Sequence, residues 1–218
     1  MGIKVSKFGG TSLADASAFM QVRDIINSDK QRKYVIASAP GKRHSSDTKV
    51  TDMLYDCYGL ASSGLDTDAA FCSIKARFTE IVNGLGLDFD LDCEIDIIKN
   101  EALSCMNKDY FASRGEFLNA KILAKYLGFP FIDAKDVIFF KQDGHLDEEK
   151  TYAVFAEVVG KYEYAVIPGF YGTACDGSIK TFSRGGSDIS GAIAARALMA
   201  ELYENFTDVS GMMTADPR

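Results

Sequence analysis

The first forty residues constrain the fold more tightly than any other stretch. Residues 3–8 (IKVSKF) read as a strand, GGTS as a turn, and residues 13–28 (LADASAFMQVRDIINS) as an amphipathic helix. YVIASA at 34–39 is a second apolar strand, ended by Pro40-Gly41. Strand, helix, strand in that order implies a parallel pair with a covering helix.

Beyond Gly41 the segment GKRHSSDTK (41–49) reads as a mobile polar loop. Helical patterns then dominate from about residue 50 to 128, with breaks near Ser62–Gly64, Asn83–Gly86 and Asn107. DFDLDCEIDIIKNE (88–101) is ambiguous, because its acids alternate like an exposed strand while its length suits a helix. Its clustered carboxylates lack EF-hand spacing and the central glycine, so they read as a solvated acidic face and not a metal site. Strands are expected at 129–133, 137–141 and 164–170, and helices at about 147–161 and from Ser187 to Leu202. Asp176-Gly177 marks a hairpin tip. There is no internal repeat and no low-complexity linker, so the chain reads as one α/β layered domain.

Charge and cysteine content narrow the partners. A net charge of −7 argues against nucleic acid, which needs a basic face. Five cysteines without a CxxC pair favour buried free thiols over a disulfide framework or zinc site. No apolar run is long enough to span a membrane, and no secretory leader is present, so a cytoplasmic location is expected. MGIKVS matches the crude myristoylation pattern but reads better as the start of a buried strand. The last residues, NFTDVSGMMTADPR, stop on a turn signal, and the chain is expected to continue past Arg218.

Two motifs carry the chemistry. KFGGTS (7–12) and SRGGSD (183–188) each place a cation before a glycine pair and a hydroxyl after it. Paired glycines let backbone N–H groups converge on an anion, and a helix beginning there adds its positive end. Neither motif is a P-loop, where the lysine follows the glycines, and neither is GxGxxG. Taken together they point to a polyphosphate-type site, with Lys7 over transferring phosphoryl oxygens and Arg184 offering a fork for carboxylate or phosphate. Asp188 can cap a helix, or orient a nucleophile or a lysine. His44 and His145 lie in polar loops and receive no catalytic role.

The motifs KFGGTS, then SRGE at 113–116, then RGGSD at 184–188, then Thr207-Asp208 with TADPR at 214–218, resemble the aspartate kinase branch of the amino-acid kinase family. The match runs in order over essentially all 218 residues. It implies a three-layer αβα sandwich with a mainly parallel central sheet, residues 1–218 forming an incomplete catalytic domain. It implies ATP-dependent phosphorylation of the β-carboxylate of L-aspartate to 4-phospho-L-aspartate, the entry to lysine, threonine and methionine synthesis. The alternatives are a truncated domain that binds aspartate without turnover, or a relative acting on acetylglutamate or glutamate.

By this resemblance Lys7 and Asp188 are catalytic. Ser38, Thr51, Glu116, Phe170 and Arg184 bind substrate, with Glu116 on the α-ammonium and Arg184 on the α-carboxylate. Lys7, Gly9, Gly10, Ser12, Gly185, Gly186 and Ser187 meet the nucleotide phosphates. Thr207, Asp208, Met213 and Arg218 complete the nucleotide side, Met213 standing where the family usually has a tyrosine. Mg2+ would bridge phosphate oxygens, with no dedicated protein ligand expected. A homodimer is expected of the full-length protein, and regulatory ACT modules would follow the point where this chain ends.

Overall fold

The computed structural model describes residues 2–183 and 185–207. Its centre is a four-stranded parallel sheet. β1 (Lys4–Phe8) lies between β2 (Arg32–Ala37) and β6 (Leu202–Phe206), and β3 (Ala165–Pro168) flanks β2. The first crossover is the expected one: β1, a short 3-10 turn at Thr11–Leu13, α1 (Ala16–Asn27), then β2. Asp15 caps α1 by accepting the Ala18 N–H at 2.9 Å.

Both faces of the sheet are covered, which makes three layers. On one face Phe8, Val35, Ala37 and Val166 pack against α1 and against α2 (Val50–Ser62), α3 (Asp68–Gly84), α4 (Leu91–Cys105) and α5 (Lys108–Leu127). On the other face Val5, Ile36, Ala165 and Ile167 meet α6 (Glu148–Val159) and α7 (Gly186–Ala197). The alternation along each strand divides its side chains between the two cores. A small antiparallel hairpin, β4 (Tyr171–Thr173) with β5 (Ile179–Thr181), turns where Asp176-Gly177 was expected to turn it.

Several boundaries differ from the sequence reading. The ambiguous acidic segment is α4. Asp90 accepts the Cys93 N–H, and Leu91, Ile95, Ile98 and Ala102 bury one stripe at helical spacing. The strands expected at 129–133 and 137–141 reduce to isolated bridges at Phe131, Phe139 and Phe140. Pro130 has no N–H to give a ladder, and Asp133 caps a 3-10 turn at Ala134–Asp136 instead. The last helix stops at Ala197 rather than Leu202, and the chain reverses through Met199 at φ +49° into the unexpected strand β6. All five cysteines are free as expected, but only Cys57 is buried. Among the described residues no helix is long and apolar enough to cross a membrane.

β6 lacks the apolar alternation that marks a strand because its middle residues are polar and engaged. Glu204 accepts from Arg32 Nε at 2.7 Å and Nη2 at 3.0 Å, and from Ser6 Oγ at 2.8 Å. Arg32 also reaches the Ile25 carbonyl at 2.6 Å, so one guanidinium ties α1, β2 and β6 together. Burial opposes ionisation of Glu204, but the Arg32 and Ser6 hydrogen bonds outweigh it and its carboxyl titrates below the usual range. Glu204→Ala is expected to cost about 1–3 kcal/mol, because it strands a partly buried guanidinium. Urea denaturation should read this as a lowered midpoint with an unchanged slope.

Candidate active site

The parallel strands end in register along one edge. Phe8 lies opposite both Ala37 and Phe206, and Ala37 lies opposite Pro168. Residues just past those ends, Gly9 and Gly10, Ser38 and Ala39, Phe170 and Thr207, all line one cleft of about 880 Å³. The helices leading into β2 and β6 take opposite faces of the sheet, and a crevice opens beyond the strand ends between them.

Lys7 enters this cleft because of strand alternation. Val5 faces α7 in the second core, and Lys7, two residues on, emerges on the same face at the strand end. Its side chain is only 8% exposed, and its Nζ lies 2.8 Å from Asp188 Oδ1 in the first turn of α7. Asn205, paired with Lys7 across β1 and β6, donates to the same Oδ1 at 3.1 Å. The carboxylate therefore positions the ammonium from one side while remaining half exposed on the other.

Close approach requires glycine at 41 and 186, and a positive φ favours it at 185. A Cβ on Gly41 would lie 2.6 Å from the Gly10 carbonyl carbon, and the Gly41 N–H donates to Gly10 O at 2.8 Å. The turns after β1 and β2 thus sit back to back. Gly185 caps α7 at φ +60°, and a Cβ on Gly186 would lie 2.5 Å from Phe170 Cδ2. Phe170 itself adopts φ +80°, a strained conformation for a residue with a side chain. Two bonds hold it there: its N–H donates to Ser190 Oγ at 3.0 Å, and its carbonyl accepts from the Phe182 N–H at 2.9 Å.

Glu116 closes the site on the α5 side. Gly115 lets α5 approach the Ser38–Ala39 segment, since a Cβ there would lie 2.8 Å from Ala39 Cβ, and Asn119 Nδ2 donates to Ser38 O at 2.7 Å. Glu116 is 6% exposed and lines the cleft, and its Oε2 has no hydrogen-bond partner among the described residues. Burial pushes its carboxyl up to about 8, against the smaller opposing pull of backbone N–H groups and the Arg114 charge. Arg114 is buried in an aromatic cage, its guanidinium 4.4 Å from the Tyr110 and Phe117 ring centres and 5.2 Å from that of Tyr171.

The expected phosphate residues Lys7, Gly9, Gly10, Ser12, Gly185, Gly186 and Ser187 line this cleft, as do Asp188 and Thr207. So do the expected substrate residues Ser38, Thr51, Glu116 and Phe170. Arg184, Asp208, Met213 and Arg218 lie outside the described residues. The 41–49 loop had no site role in the sequence reading, yet Gly41, Lys42, His44, Ser45 and Lys49 all line the cleft. The available signal was the density of cations directly after a strand-ending Pro-Gly turn. Asn205 was also missed, because only strand register brings it to Asp188.

The profile of the amino acid kinase family matches residues 2–218. Aspartokinase 3 of Bacillus subtilis is 34% identical over 99% of this chain and 50% of its own length. The crystal structure of Clostridium acetobutylicum aspartate kinase is 50% identical and superposes with a TM-score of 0.95, covering all of this chain and 50% of that one. E. coli aspartokinase III, crystallised with aspartate and ADP, is 25% identical with a TM-score of 0.82, covering 99% of this chain and 51% of its own. The chain spans about half the length of these relatives.

Glu116 yields a stability test that needs no ligand. Its carboxyl titrates near 8 in the fold and near 4.5 when unfolded, so between those values the folded state holds the extra proton. Stability therefore falls as pH rises through that window, and the penalty is complete above about 8. The Tm of ligand-free protein should drop by roughly 3–8 °C between pH 5.5 and 8.5, and Glu116→Gln should flatten the decline. Superimposable Tm profiles for the two proteins would show that Glu116 is ionised throughout.

Proposed function

The chain belongs to the amino-acid kinase family, and from that premise we propose that it transfers the γ-phosphoryl group of ATP to the β-carboxylate of L-aspartate. The carrying observation is the buried Glu116 carboxylate with an unpartnered oxygen, in the same cleft as the Lys7–Asp188 pair and the glycine turns. Such a carboxylate suits a substrate with a free ammonium group. That favours aspartate over an N-acylated amino acid, whose amide offers no cation. The similarity to aspartokinases supports the same reading.

In this reading the glycine turns at 9–10 and 185–186 receive the phosphates on backbone N–H groups, α7 adding its positive end. Aspartate lies with its ammonium on Glu116, its α-carboxylate toward Arg184, and Ser38, Thr51 and Phe170 around it. A β-carboxylate oxygen attacks the γ-phosphorus, the bond to the β–γ bridging oxygen breaks, and ADP leaves. Lys7 neutralises charge on the oxygens of the phosphoryl group in transit. Asp188, itself steadied by Asn205, keeps that ammonium at one position. No covalent enzyme intermediate is needed, since the two substrates react directly.

Among the described residues no group of three metal-ligating side chains exists. Mg2+ would arrive on the nucleotide, with Asp188, a half-exposed carboxylate beside Lys7, as the available protein donor. When bound, the ion would offset phosphate charge.

Two outcomes test the proposal. Lys7→Met and Asp188→Asn should each lower kcat by about 10²- to 10³-fold with folding intact, measured by ADP release under saturating aspartate. Near-normal turnover in either would remove the assigned role. Second, ammonium binding to Glu116 requires the carboxylate form, so aspartate affinity should rise by up to about tenfold per pH unit between 6 and 8 and then level. Calorimetry in buffers of different ionisation enthalpy should detect a released proton, absent in Glu116→Gln.

A further inference from the structure

The loop from Gly41 to Lys49 is built more firmly than a surface connection needs. Its mouth is closed by the Val50 N–H donating to Pro40 O at 3.2 Å. Arg77, 5% exposed on α3, donates to Gly41 O at 2.9 Å, Thr48 O at 3.2 Å and Asp47 Oδ2 at 2.6 Å, so one buried guanidinium grips both ends. Arg43 chelates Asp47 with Nε at 2.8 Å and Nη2 at 3.1 Å, and also pairs with Glu80. Arg43's hydrogen bonds, outweighing burial, hold the Asp47 carboxyl well below the usual range, so this brace stays charged at neutral pH.

The brace leaves the loop's lysines over. Asp47 and Glu80, the carboxylates paired with this loop, are both taken by arginines. Lys42 and Lys49 have no ion pair among the described residues, and both line the cleft. Elsewhere in the cleft, among the described residues, Lys7 is neutralised by Asp188 and Glu116 is the remaining carboxylate. In a chain of net charge −7, the cleft's surplus positive charge among these residues comes from this loop. Lys42 also follows directly on Gly41, whose N–H is bonded to the Gly10 carbonyl of the first glycine turn.

We propose that Lys42 and Lys49 form a cationic rim for a polyphosphate anion held at the Gly9-Gly10 turn, with Arg77 and Asp47 fixing the loop that carries them. The rim deepens the kinase reading and rests on it for the identity of the anion as a nucleotide polyphosphate. Its charges add attraction where the glycine turns supply only backbone dipoles. Its lysines are exposed, so their removal leaves the fold undisturbed.

The experiment is calorimetric titration of the full chain with sodium tripolyphosphate and, separately, with L-aspartate, at low and moderate ionic strength. Lys42→Met and Lys49→Met should each weaken tripolyphosphate by about fivefold and make its binding less sensitive to salt. Aspartate should shift by less than about twofold. Lys141→Met, the same charge change at an exposed lysine outside the cleft, should leave both ligands unaffected. The rim is overturned if the double variant binds tripolyphosphate like wild type, if aspartate suffers equally, if Lys141→Met reproduces the loss, or if wild type does not bind tripolyphosphate. A wild-type chain that binds tripolyphosphate through these lysines yet never phosphorylates aspartate supports the rim and overturns the kinase reading instead.

Discussion

A parallel sheet covered on both faces obliges every strand to deliver its following residues to the same edge. Here Pro168, Ala37, Phe8 and Phe206 form one row across that edge, and the site is made of what comes next. The row also sets Lys7. One step back along β1, alternation turns its side chain toward α7, where Asp188 waits in the first helical turn and Asn205 stands alongside on β6. A one-residue register slip would move Lys7 to the opposite face and dissolve the arrangement.

The buried charged groups at this edge differ in how fully the protein compensates them. Arg77 is met by Asp47 and three carbonyls. Arg114 is met by three aromatic rings and by Ser113 Oγ at 2.9 Å. Arg77 leaves only its Nε unbonded, whereas Glu116 leaves Oε2 unsatisfied among the described residues and has a carboxyl that prefers its proton. A buried orphan of that kind costs free energy in the empty protein, and a cation arriving in the cleft recovers it. Phe170 carries a comparable cost in its backbone, borne by the Ser190 and Phe182 bonds and by the absence of a Cβ on Gly186.

Much of this was legible beforehand, for identifiable reasons. The strand–turn–helix–strand opening, the helices between 50 and 127 apart from the ambiguous α4 segment, and the Asp-Gly hairpin each carry a local signal that survives folding. In the second glycine pair the need for glycine is direct, since Gly185 adopts φ +60° and a Cβ on Gly186 would lie 2.5 Å from Phe170. β6 could not be read, because Glu204 and Asn205 are polar for the sake of Arg32 and Asp188, partners 172 and 17 residues away. The two aromatic segments near 131 and 139 failed in the opposite sense. They have strand composition, but Pro130 and the Asp133 cap deny them a ladder.

The sequence by itself determined the chemistry present: two cation–glycine–glycine–hydroxyl motifs, a helix carrying SRGE, and an α/β order that had to form a parallel sheet. Only the tertiary structure decided that the 41–49 loop faces the same cleft, that Arg77 braces it, and that Glu116 is buried deeply enough to hold a proton near neutrality. The division has a physical cause. Turns, caps and periodicity are set by neighbours along the chain. Desolvation and ion pairing depend on which distant surfaces exclude water from a group, and only packing settles that.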